Sequence, residues 1–203
     1  MRMQNFGVAA SFLLVVAFIV PAYIYLTGNL SDPIGPYAYA LADILYGPVW
    51  GASLVAAVFA LRERAGDRAP RRMSMALLAA VFAAGMMVLV ASVRASNRQY
   101  HLAHPDLHLE TSTTVLIVWA TIVQGGIAAG WYFLGWVLVL LGSAGGAAQN
   151  IPRGLSLLYL AGGIVSLLVF VVHDLEPFAA GLGVAWSVWQ GILFWTDAGR
   201  TGR

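Results

Sequence analysis

What most constrains this chain is its succession of uncharged apolar runs, each about as long as a bilayer is thick. Phe6 to Leu26, Met73 to Val93 and Thr111 to Leu141 carry no charged residue. At about 1.5 Å per residue, roughly 20 residues of helix cross a hydrocarbon layer of about 30 Å. A soluble fold of 203 residues has no interior large enough to hide such segments, since 60% of the chain is hydrophobic and only 10% charged, against roughly 25% charged in soluble domains. In lipid every backbone N–H and C=O needs a partner within the chain, and a helix supplies one for each. The fold class is therefore all-α: one integral membrane bundle of about six transmembrane helices over residues 1–203.

The remaining spans are bounded by turn formers and arginines. After a short polar lead, the first run is longer than a signal-peptide core and is followed by no small-residue cleavage pattern, so it is expected to stay as a helix. A loop rich in Gly, Asp and Pro, Thr27 to Pro36, separates it from a second span at about Tyr37 to Leu61. Arg62 to Arg72 is a charged turn, Arg94 to Glu110 a polar segment, and Gly142 to Arg153 a small-residue loop. Thr111 to Leu141 is read as a single helix despite Gly125 and Gly126. Gly154 to Val172 and Pro177 to Trp195 complete the set around a short turn, His173 to Glu176, and Thr196 to Arg203 reads as a frayed polar tail.

Arginine placement sets the expected orientation. With both termini cytoplasmic, Arg2, the Arg62 to Arg72 group, Arg153, Arg200 and Arg203 lie inside, and Arg94 and Arg98 alone lie outside. The expected location is the cell membrane, as a multi-pass protein, with membrane lipids as partners and no nucleic acid. The chain has no cysteine and no lysine, which excludes disulfides, thiolate chemistry and a retinal-type Schiff base. It also lacks a phosphate-binding glycine loop, a nucleophile elbow and a dinucleotide fingerprint.

Chemistry must then come from the few polar residues inside spans. Asp43 is the sharpest, because a carboxylate in lipid costs roughly 2.5–3.5 kcal/mol and must face the bundle interior. Tyr39 and Tyr46 share its helical face. The plainer reading makes Asp43 a structural partner of Arg94 or of a tyrosine hydroxyl; the functional reading makes it a proton-handling or ligand-binding group, with Pro48 kinking the helix to open space beside it. Glu110, Asp174 and Glu176 are candidate acid–base companions on the outer face. Gln124 and Gln190, inside the fourth and sixth spans, each need a hydrogen-bond partner. Trp186 and other tryptophans would line an apolar pocket above these glutamines, or anchor span ends. His101, His104 and His108 stand near Asp106 and Glu110, but Pro105 interrupts any helical stripe and no metal signature is present, so no metal or cofactor is expected. Gly126 with Gly130, Gly142 with Gly146, and Ala76, Ala80 and Ala84 read as close-packing positions.

The segment Ile151-Pro152-Arg153-Gly154-Leu155-Ser156, the second span from Leu41 to Leu61, and Trp186-Ser187-Val188-Trp189-Gln190-Gly191 resemble the domain-of-unknown-function 4386 family of small bacterial membrane proteins. Gly154 stands where a tryptophan is usual in that family, and the third span lacks its usual arginine and glutamate. The resemblance implies a multi-span bundle and no established activity. Two functions follow from the residues. One is binding of a small apolar or amphipathic ligand, or of a partner membrane protein, in the outer half, with Tyr46, Arg94, Gln124, Gln190 and Trp186 as contacts. The other is a membrane enzyme using Asp43 with Glu110, Asp174 or Glu176 on a lipid or isoprenoid-like substrate.

Overall fold

The computed structural model describes residues 3–28, 34–65, 68–104, 113–148 and 151–200. They form α1 (Met3–Thr27), α2 (Gly35–Ile44), a π-helical turn (Leu45–Val49), α3 (Trp50–Ala65), α4 (Pro70–Ala103), α5 (Thr113–Ala148), α6 (Arg153–Val169), a 3₁₀ turn (His173–Leu175) and α7 (Glu176–Arg200). Helix α2, the π turn and α3 run on as one rod. Five of the resulting segments are long and apolar enough to cross a membrane, and the apolar α6 is shorter. The protein is thus an all-α membrane bundle.

Successive helices alternate in direction, and cross-contacts fix their levels. At one end Arg64 pairs with Asp197, Arg72 donates to the Ser143 carbonyl at 2.8 Å, and Gly7 abuts Phe194 and Ala60. Both termini of the described chain therefore lie at this arginine-rich end. About 20 residues of helix suffice to cross a hydrocarbon layer, and α4 and α5 are longer than that while α6 is shorter.

Small residues let the helices approach. A Cβ on Gly163 would meet the Val139 amide nitrogen at 2.8 Å and the Gly135 carbonyl oxygen at 2.9 Å, so α5 and α6 touch backbone to backbone. Gly126 and Gly130 seat Val90 and Met87 of α4, while Ala76 and Ala80 are fully buried along that helix. With no hydrophobic drive between helices in lipid, this close van der Waals contact supplies much of the cohesion. Phe18 sits at the centre, with Trp50, Trp131 and Trp186 around it at ring-centroid distances of 6.1, 6.3 and 6.4 Å. On the arginine side of that cluster, Tyr159 donates to Gln190 at 2.7 Å and the Gln190 amide donates to the Ala57 carbonyl at 3.3 Å, tying α6, α7 and α3.

Several boundaries differ from the sequence reading. Arg94 to Ala103 continues α4 as helix, because no Gly or Pro interrupts the chain between Arg94 and His104. Helix α5 is unbroken at Gly125 and extends to Ala148, since Gly142 and Gly145 are packing positions against Ser156 and Leu160 of α6. The segment read as a frayed tail continues α7 to Arg200, held by the Arg64–Asp197 pair.

Replacing Gly163 by valine should separate α5 from α6 and lower stability by about 1–3 kcal/mol, the usual cost of overpacking. Gly85, whose added Cβ meets nothing within 4 Å, should accept alanine neutrally or with a gain of up to about 1 kcal/mol. Thermal unfolding in detergent distinguishes the two, and equal losses would contradict the backbone contact.

Candidate functional site

Pro48 shapes the second rod locally. It has no N–H, and its ring conflicts with the carbonyl four residues earlier, so one helical hydrogen bond is lost there. The chain widens into the π turn Leu45–Val49. Gly47 in that turn lies against α4: a Cβ there would meet Ala91 Cβ at 2.5 Å and the Met87 carbonyl at 3.0 Å. Asp43, one turn earlier, faces inward and is 3% exposed.

Both oxygens of Asp43 are engaged. Tyr25 of α1 donates its hydroxyl to Oδ1, and Arg98 of α4 donates from Nη2 to Oδ2. One carboxylate thus joins three helices, α1, α2 and α4. Such a charge-assisted pair is strong where water is scarce, and removing one partner leaves the other uncompensated. Arg94, one turn before Arg98, lies over the Tyr25 ring at 4.8 Å and the Tyr46 ring at 5.6 Å, two cation–π contacts. The Tyr39 ring lies tilted against Tyr25 at 5.5 Å, and its hydroxyl donates to the Gly28 carbonyl at 3.0 Å, closing the α1 end of the cluster.

Beyond Tyr46 lies Glu176, at the start of α7. Its Oε1 accepts from Trp131 Nε1 at 3.2 Å, and Glu176 and Arg94 are both near enough to act electrostatically on Tyr46. The Tyr46 hydroxyl is buried with no hydrogen-bond partner among the described residues.

On the other side of Asp43 a groove of about 670 Å³ opens between α2 and α4. Ile44, Pro48 and Ala91 line its apolar part, Ala40 and Asp43 lie next, and Tyr37, Arg98, Gln99 and Leu102 line it farther out. Its size falls within the range of small-molecule sites, and its walls join apolar surface to a few polar groups.

The candidate residues are therefore only partly gathered. Asp43, Tyr46, Arg94 and Glu176 share the half of the bundle away from the arginine-rich end. The expected Asp43–Arg94 pair is replaced by Asp43–Arg98, because the continued helix brings Arg98 to the carboxylate while Arg94 turns to the tyrosine rings. Of the tyrosines flanking Asp43 in sequence, neither bonds it. Gln124 is exposed rather than enclosed, on the outward side of α5. Gln190 is enclosed and bonded, but in the other half of the molecule. Trp186 belongs to the aromatic core around Phe18, whereas Trp136, Trp189 and Trp195 are exposed, so no tryptophan pocket spans the two glutamines. Asp174 is exposed on the 3₁₀ turn. Glu110, Asp106 and His108 lie outside the described residues. His104 stacks on Tyr100 at 4.4 Å.

Tyr25 and Arg98 are not among the site residues that the sequence suggests, and Trp131 enters there only as one of the pocket-lining or anchoring tryptophans. Arg98 carried a usable signal, the four-residue spacing from Arg94 on an unbroken stretch. Tyr25 shares Asp43's depth only once the two helices are placed side by side. No protein family, curated protein or solved structure matches the chain.

A double-mutant cycle separates the two arginines. Asp43→Asn with Arg98→Gln should show a coupling of about 1–3 kcal/mol in detergent unfolding, whereas Asp43→Asn with Arg94→Gln should couple by less. Equal coupling would contradict the geometry.

Proposed function

We propose that the protein is a multi-pass cell-membrane protein that binds an amphipathic small molecule in the outer half of its bundle, through the groove between α2 and α4. The feature that supports this reading is the make-up of the groove, with apolar walls at Ile44, Pro48 and Ala91 and the Asp43–Arg98 pair and Gln99 farther along it. A molecule with a tail and a polar head meets both environments there in its ordinary bilayer orientation. Acid–base catalysis gains less support. Asp43 has both oxygens engaged, and Glu176 turns to Trp131, so among the described residues no two free carboxylates converge. Kinship with the 4386 family belongs to the same proposal, resting on the Ile151 to Ser156 motif, which starts α6.

The cytoplasmic placement of both termini rests on the arginine bias. Because the chain lacks cysteine, single cysteines report topology directly: one at Glu63 should resist an impermeant thiol reagent on intact cells, and one at His104 should react. The reverse pattern would invert the orientation.

For the groove, a fluorescent single-chain amphiphile added to the protein in phosphatidylcholine nanodiscs should bind saturably. Ala40→Trp, which fills the groove, should abolish the saturable part and leave the unfolding temperature nearly unchanged. Partition that is unsaturable, or identical in both proteins, would remove the proposal.

A further inference from the structure

We infer that the groove selects amphiphiles whose head is an oxyanion, a phosphate or a carboxylate, and that Arg98 is the residue that reads it, an inference that rests on the amphiphile reading above. The charge count around Asp43 is the starting point. Two guanidiniums, Arg94 and Arg98, are gathered about one carboxylate. The other acid of the cluster, Glu176, lies beyond Tyr46 and is bonded to Trp131. The groove wall itself carries one charge of each sign, Asp43 and Arg98, so what favours an anion there is the unused donor capacity of Arg98, in a region where lipid and protein screen charge weakly.

Donor accounting points the same way. Arg98 has five N–H donors in a planar fork. Among the described residues its hydrogen-bonding partner is Asp43, reached through Nη2, and its side chain is 17% exposed on the groove wall. Donors that Asp43 does not take are left for a ligand, and phosphate and carboxylate are the groups that such a fork matches in pairs. Asp43 does not repel that ligand strongly. It is nearly sealed, with Oδ1 held by Tyr25 and Oδ2 by Arg98, so its charge is directed into the bundle. Asp43 is thus a positioning residue: it fixes the guanidinium plane and holds Arg98 at the groove.

Depth supplies the tail. Below Arg98 the groove continues along Ile44, Pro48 and Ala91, so an oxyanion at Arg98 directs an attached chain into the hydrocarbon layer. A soluble anion uses none of that surface. The occupant is accordingly an anionic amphiphile of the outer leaflet.

The test uses the full chain in phosphatidylcholine nanodiscs and a set of single-chain amphiphiles with one tail and five heads: phosphate, carboxylate, phosphocholine, maltoside and trimethylammonium. Each competes against the fluorescent probe. Phosphate or carboxylate heads should bind about tenfold or more tighter than maltoside, the effect of one or two charge-assisted hydrogen bonds. Arg98→Gln should erase this preference while keeping the tail-driven affinity. Should that variant fold poorly, Gln99→Glu leaves the Asp43 pair intact, adds an opposing charge on the exposed groove wall, and should reduce the preference selectively. Equal binding of all five heads, or a preference for trimethylammonium, would overturn the oxyanion inference and leave the groove reading standing. Displacement of the probe by inorganic phosphate alone would also overturn it, by assigning the arginine to a soluble anion. Saturable binding by none of the five would remove the groove reading itself.

Discussion

A carboxylate buried between apolar helices cannot do without partners, and much of this end of the molecule follows from how Asp43 finds them. Its two oxygens call on α1 through Tyr25 and on α4 through Arg98. That demand fixes the level of three helices relative to one another. The tyrosine rings so placed become a platform for Arg94. An ion pair of this kind is not an efficient source of stability, because apolar side chains of similar volume can do as well without desolvation. Its effect is on geometry: it rejects any register of α4 against α2 that leaves a charge unpaired.

The same site depends on a local failure of regular helix. Pro48 removes a helical hydrogen bond, the chain widens at Leu45–Val49, and Gly47 brings the widened turn against Ala91 and the Met87 carbonyl. The contact between the rods is close at Gly47 and open at Ile44 and Pro48, which line the groove. The groove is thus the other side of a tight contact. In the opposite half Gln190 is shared by Tyr159 and Ala57 and the α5–α6 backbones touch. Close contact and opening both follow from where proline and glycine fall along otherwise similar apolar runs.

The layout of spans could be read from the sequence because lipid imposes one demand on every spanning residue, and apolar runs of sufficient length meet it in only one way. Asp43 was legible for the same reason, as the exception to that demand. Its partner was not. Ending the third span at Val93 treats polarity as the end of the helix, but polarity marks where water begins, and α4 crosses that level intact as far as Ala103. Arg94 and Arg98 differ by about one turn, yet that turn decides which one meets the carboxylate. Gln124 shows the converse error: a polar residue in an apolar run was taken as enclosed, when it faces outward on α5. Depth along a span is readable in one chain. The side of a helix that meets another helix is set by packing, and the glycine contacts that set it are specific to each pair.

The unpartnered hydroxyl of Tyr46 bears on how the cluster responds to an occupant. It lies between the influence of Arg94 and that of Glu176 and bonds to neither. A buried hydroxyl without a partner costs about 1–3 kcal/mol, so a small shift of Arg94 toward it would recover part of that cost. Arg94 is seated on Tyr25 through a side-chain hydrogen bond as well as the ring face, and lies over the Tyr46 ring. Arg98 is anchored on Asp43 and lines the groove. The two guanidiniums are thus both held, one facing the groove and one behind it, and an anion arriving at Arg98 would draw on a preset donor plane.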